Sequence, residues 1–173
     1  MKAVWVGLGL CVALALQTTL ARMVAGTGVA VDLVLVVVVL VAISSGPVAG
    51  LWTGTVGGLL QDALSGGVVG VGGLSKTLVG YLVGQFASQF VVARAWHQLL
   101  VLFLASLLHA GCFVGVYRLL SDEGTMSSYG GVLTQATANA VVGVAVALTF
   151  EMAPGAIARR RLRRRGLSRR FGA

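Results

Sequence analysis

Two charged side chains stand where charge is expensive. Asp62 and Lys76 lie fourteen residues apart in a stretch, 46–84, dominated by glycine and apolar residues. In hydrocarbon each is disfavoured by roughly 2.5–3.5 kcal/mol at mid-membrane, unless it is turned inward and partnered. Three kinds of chemistry are open to the pair. They could form an ion pair that pins two helices in register, dock a partner, or hold a ligand or proton. His109 is a lone titratable group deep in an apolar run and reads as a hydrogen-bonded packing residue. Asp32 opens another apolar run, where a carboxylate suits a helix N-terminus and its dipole. Glu151 sits beside arginines that neutralise it. No Walker-type phosphate loop, HExxH or GxSxG occurs, so no enzyme signature is present. Cys11 and Cys112 fall in separate apolar runs without CxxC spacing and read as small buried hydrophobes. No metal or cofactor is expected.

The elements that position these groups follow from composition. Hydrophobic residues make up 57% of the chain and charged residues only 10%, against about a quarter charged in a soluble domain, so most of the surface must face lipid. Apolar runs in lipid must be helical, because an isolated strand leaves backbone groups unpaired. That decides even the Val/Leu run 33–43. The expected fold is all-α: a polytopic integral membrane protein of six transmembrane helices with short loops and a glycine-rich central helical hairpin. The spans are about 3–20, 29–44, 47–64, 69–92, 97–120 and 129–152, within one membrane domain, 1–155. A basic tail, 156–173, follows. The first run resembles a signal peptide around Ala13 to Ala15, but no polar cleavage region follows, so an uncleaved first helix is expected. Gln17, Thr18 and Thr19 near its end are polar enough to bond neighbouring helices.

Within the central hairpin, Gly46, Gly50, Gly54 and Gly58 recur every four residues and lead to Asp62. Gly72, Lys76, Gly80 and Gly84 make a second stripe of the same spacing. Residues i and i+4 lie one above the other on a helix, and small residues there let two backbones approach closely in lipid. Both stripes are therefore candidate helix-packing or partner faces. In the sixth span Ala136, Ala140, Gly143 and Ala147 make a similar small side.

The net charge of +8 is concentrated: eight of thirteen basic residues are arginines between Arg159 and Arg170. Following a span, Arg159, Arg160, Arg161, Arg163, Arg164 and Arg165 read as a cytoplasmic anchor for anionic lipid or an acidic partner, not a nucleic-acid arm. Lys2, Arg94 and this tail share one side of a six-span topology, which places both termini in the cytoplasm. The loop with Asp122 and Glu123 then faces outward, and no loop is long enough for a soluble catalytic domain.

The central stretch resembles the rod shape-determining MreD family. The features that carry the likeness are Gly46-Pro47, Gly50, Gly57-Gly58-Leu59-Leu60-Gln61-Asp62, Ser65-Gly66, Gly70, Leu74 and Gly80-Tyr81-Leu82-Val83-Gly84, with Asp32-Leu33 opening the second span. The resemblance implies a non-enzymatic component of the bacterial cell-elongation machinery in the inner membrane. Such a protein binds the bitopic shape protein MreC and helps couple MreB filaments to peptidoglycan synthases. The alternative from another class is a substrate-binding subunit of an energy-coupling-factor vitamin transporter, also small and six-spanning. That reading requires a pocket of convergent polar and aromatic groups.

Overall fold

In the computed structural model the described residues are 2–24, 31–66, 68–90, 95–120 and 130–149. They form six helices: α1 (Lys2–Val24), α2 (Leu33–Ser45), α3 (Pro47–Ser65), α4 (Val71–Gln89), α5 (Ala95–Leu120) and α6 (Gly130–Thr149). No strand occurs among the described residues. Glu151, Arg94, Asp122, Glu123 and the whole arginine tail lie outside them.

The helix boundaries have local causes. Pro47 occupies the first turn of α3, where its missing N–H is no loss. Gly66, with φ of 69°, ends that helix in the left-handed region that glycine reaches without strain. Gly70, with φ of 106°, opens α4 in the same region. Phe90, extended at φ −122°, closes α4, which is thus shorter at both ends than the expected span. α1 runs on to Val24, four residues beyond the expected span.

α2 is the centre of the molecule. Val34, Val38, Val39 and Ala42 have no exposed surface, and Leu35 and Val36 almost none. One side packs on Leu10, Ala13 and Leu14 of α1. The other joins Val79 and Val83 of α4, Leu102 and Ala105 of α5, and Ala140 of α6 in a single apolar cluster. A helix apolar all round belongs where neighbours cover every face, and the β-branched run thus serves a fully surrounded helix.

α3 and α4 run antiparallel in close contact. A Cβ on Gly50 would overlap the Gly80 carbonyl, one on Gly54 the Lys76 carbonyl, one on Gly58 the Gly73 backbone, and one on Gly84 the Pro47 backbone. Gly46 meets nothing within 4 Å and instead makes the turn between α2 and α3, with φ of 88°. Between the glycines, the Thr55 and Thr77 hydroxyls bond across the seam at 2.8 Å. The small side of α6 faces α5: Ala136 and Ala140 are buried, and a Cβ on Gly143 would overlap Leu102.

Two helices are long and apolar enough to cross a membrane by length and composition, over Ala95–Val116 and Gly130–Thr149. The others miss that measure for visible reasons. α2 has 13 residues, and α3 and α4 are diluted by glycine, hydroxyl and charged residues. Cys11 is exposed and Cys112 half-buried, so neither is the core residue expected of it.

Candidate polar centre and cavity

The local structure around Asp32 dictates where the polar groups converge. An α-helix leaves its first amide donors without intrahelical partners, and α2 begins at a buried residue, Asp32, where protein groups take them. Asp32 is the N-cap, and its Oδ1 accepts from the Leu35 amide at 2.9 Å. Gln17 of α1 accepts from the Leu33 amide at 2.8 Å and donates to the Val31 carbonyl at 2.7 Å. Asn139 of α6 accepts from the Asp32 amide at 2.8 Å and donates to the Ser106 hydroxyl at 3.1 Å. Four helices therefore meet at one buried helix start. Gln17 bonds a neighbouring helix as expected, whereas Thr18 and Thr19 bond back to the Ala15 carbonyl of their own helix.

The other carboxylate oxygen of Asp32 holds Lys76, with Nζ to Oδ2 at 2.8 Å and both side chains about 95% or more buried. His109 Nε2 lies 3.4 Å from Lys76 Nζ and 3.6 Å from Asp32 Oδ2. Lys76 is thus neutralised by Asp32, and not by Asp62, the acid nearer in sequence. Among the described residues Asp62 makes no ion pair. Its Oδ2 accepts from the Gly70 amide at 2.9 Å and the Gly73 amide at 3.0 Å. α4 starts at a glycine that has no capping side chain, and Asp62 supplies the cap from the preceding helix. The dipole of α4 favours a negative charge at that position. Asp62 and Lys76 both serve the α3–α4 junction, but through different partners.

The expectation for His109 was a solitary packing residue and for Asp32 an interfacial cap. Asp32 does cap α2, but at 4% exposure it is a core residue that also carries an ion pair. His109 belongs to the same cluster. Asn139 was not anticipated, although an asparagine in mid-span, one turn after Gln135, was its signal.

Beside this cluster lies a cavity of about 330 Å³, lined by Gln61, Asp62, Lys76, His109, Phe113 and Gln135 among others. Two of the lining residues each carry a fully buried atom, Gln61 Oε1 and His109 Nδ1, with no hydrogen-bond partner among the described residues. Leaving such a group unmade costs on the order of 1–3 kcal/mol. No group of three or more His, Cys, Asp or Glu side chains able to hold a metal ion occurs among the described residues.

A family model described as rod shape-determining protein MreD matches residues 1–150. No curated protein and no solved structure matches the chain.

Proposed function

The chain belongs to the MreD family of bacterial membrane proteins, whose role is rod-shape determination, and from that premise we propose how it acts. It is a non-enzymatic inner-membrane subunit that crosses the bilayer six times, with both termini in the cytoplasm. It binds an MreC-type bitopic protein and through it helps couple MreB filaments to peptidoglycan synthesis. The observation that carries this reading is the family match, which spans all six helices. It also favours the shape protein over the alternative of a vitamin-transporter subunit.

The geometry supports a division of labour within this proposal. Gly50, Gly54, Gly58, Gly80 and Gly84 hold α3 on α4, Gly46 sets the turn, and Asp62 and Lys76 fix the helix starts. Together they form a rigid base. The opposite side of α3 carries Val48, Trp52, Val56, Leu60 and Leu64, again at four-residue spacing and all exposed. That outward stripe is the face a partner's membrane helix would meet. The arginines at 159–161 and 163–165 add an attraction to anionic lipid of about 1 kcal/mol each near the surface.

The test is co-purification of a tagged full-length chain with an MreC-type partner from membranes, together with cysteine-accessibility mapping of both termini. Capture of the partner, with both ends labelled from the cytoplasmic side, is expected. Correct insertion with no capture would contradict the partner role, and termini on opposite sides would contradict the six-crossing topology.

A further inference from the structure

We propose that His109 is a proton-operated latch: its neutral ring holds Lys76 and so ties α5 to α4, and a proton taken up by the ring releases that tie. The latch is built from three groups on three elements. Lys76 Nζ of α4 lies 2.8 Å from Asp32 Oδ2 at the start of α2 and 3.4 Å from His109 Nε2 of α5. An ammonium can only donate, so the ring nitrogen that faces it accepts, and the ring proton sits on the other nitrogen. Lys76 thereby bridges two acceptors on two other elements.

A proton on Nε2 removes that acceptor and adds a second cation to the cluster. His109 Nε2 lies 3.6 Å from Asp32 Oδ2, so the two cations compete for one carboxylate oxygen. The other oxygen is committed to the Leu35 amide. Further negative charge nearby is already in use. From the elements around the ring, the charged groups are Asp32, Lys76 and Asp62 of α3; α6 brings the neutral amides Gln135 and Asn139, among the described residues. α5 itself carries Cys112 three residues on. Asp62 accepts from the amides at the start of α4. The Asp32 and Lys76 side chains are 5% and 3% exposed, so salt and water screen the added charge little. Lys76 has the shorter contact to the carboxylate, and the ring is therefore the member that gives way.

The cavity gives the proton a way in. Its lining runs from Ser65 and Val68, both exposed at the α3–α4 turn, to Asp32, Lys76 and His109, all buried. At about 330 Å³ it has room for several waters, each taking roughly 30 Å³ in the liquid. On the six-crossing reading the α3–α4 turn lies at the outer face, so the latch senses acidity outside the cell. That placement rests on the proposed topology; the latch itself does not.

The test uses the full chain in phosphatidylcholine nanodiscs, titrated from about pH 7.5 to about 4.5, a range that spans the ordinary histidine value of about 6.5. Two readouts run together. Histidine ring ¹⁵N shifts report protonation. Spin labels at Leu78→Cys on α4 and Leu108→Cys on α5, both exposed positions, report the separation of the two helices, with Cys11 and Cys112 replaced by alanine. Two variants accompany the parent. His109→Gln keeps a neutral acceptor for Lys76 and cannot take up a proton, and His97→Gln removes the other histidine. In the parent and in His97→Gln, the ring should be neutral at the upper end and gain its proton on acidification. The label separation should lengthen with it by about 1–2 Å, the scale of a helix shift. His109→Gln should keep the shorter separation throughout. A ring that is already charged at the upper end, or neutral over the whole range, would overturn the latch. So would a separation that does not follow protonation, or one that lengthens in His109→Gln as in the parent. The link between protonation and separation in the parent stands without either variant. Nanodiscs expose both faces and no partner is present, so the latch and the proposed topology and MreC-type binding fail separately.

Discussion

Glycines at four-residue spacing do opposite things in two parts of this molecule. On α3 and α4, Gly50, Gly54, Gly58, Gly80 and Gly84 face backbone so closely that no side chain could be added. On α5, Gly111 and Gly115 have the same spacing, yet a Cβ at either would meet nothing within 4 Å. A glycine stripe specifies a flat surface and nothing more. What fills it depends on the devices at its ends. α3 and α4 are tied by the Asp62 cap at one end, by the Gly46-Pro47 turn against Gly84 at the other, and by the Thr55–Thr77 bond between. Around Gly111 and Gly115 no described residue packs on the flat face of α5 within 4 Å of an added Cβ. That open face is consistent with contact to lipid or to another protein in the membrane.

The comparison can be sharpened by removing one device at a time. The largest effect is expected at the ion pair. Lys76→Met leaves the Asp32 carboxylate buried without its cation and should cost about 3–5 kcal/mol, read as a shift in denaturant or thermal unfolding of the reconstituted protein. A cost under about 1 kcal/mol would mean that the pair is hydrated and of little structural weight.

Next come the two glycine environments themselves. Gly54→Ala pushes a methyl group into the Lys76 carbonyl and should destabilise by about 1–3 kcal/mol, as overpacking does. Gly115→Ala meets open space within a helix and should be neutral or stabilising by up to about 1 kcal/mol. Equal effects at the two sites would erase the distinction drawn here.

The cap follows. Asp62→Ala should lose about 1 kcal/mol, whereas Asp62→Asn, which keeps an acceptor for the Gly70 and Gly73 amides, should lose only a few tenths. A matched loss in both variants would show that charge, rather than capping, is what α4 needs. The smallest effect is that of Thr55→Val. Removing one interhelical hydroxyl bond should cost about 0.6 kcal/mol in a membrane setting. A cost several times larger would mean that the hydroxyl pair, not the glycines, holds the seam.

How much of this could be read in the residues differs from part to part. The stripes were legible because a period of four is local information, as were the helix boundaries marked by Pro47 and Gly66. The polar centre was not. Asp32 and Lys76 are 44 positions apart, and Asp62 is closer in sequence, so a hairpin pair was the natural expectation. Asp32 was read as a cap alone, although a carboxylate has two oxygens; here one caps α2 and the other holds Lys76. One clue was available. α2 and α4 are separated by a single antiparallel helix, so they run in the same direction and their starts lie at one level. Asp32 at the first start and Lys76 just inside the second were thus placed to meet. Asn139 and Ser106 complete the cluster from α6 and α5, and nothing local in the sequence ties either residue to the start of α2.

The choice of carboxylate is the point on which the account turns, and a rescue measurement addresses it. In the Lys76→Met background the partnered acid is the one whose neutralisation restores stability. Asp32→Asn, which keeps the α2 cap, should recover most of the lost unfolding free energy of the reconstituted protein, and Asp62→Asn should recover none. Recovery by Asp62→Asn without recovery by Asp32→Asn would contradict the polar centre described here.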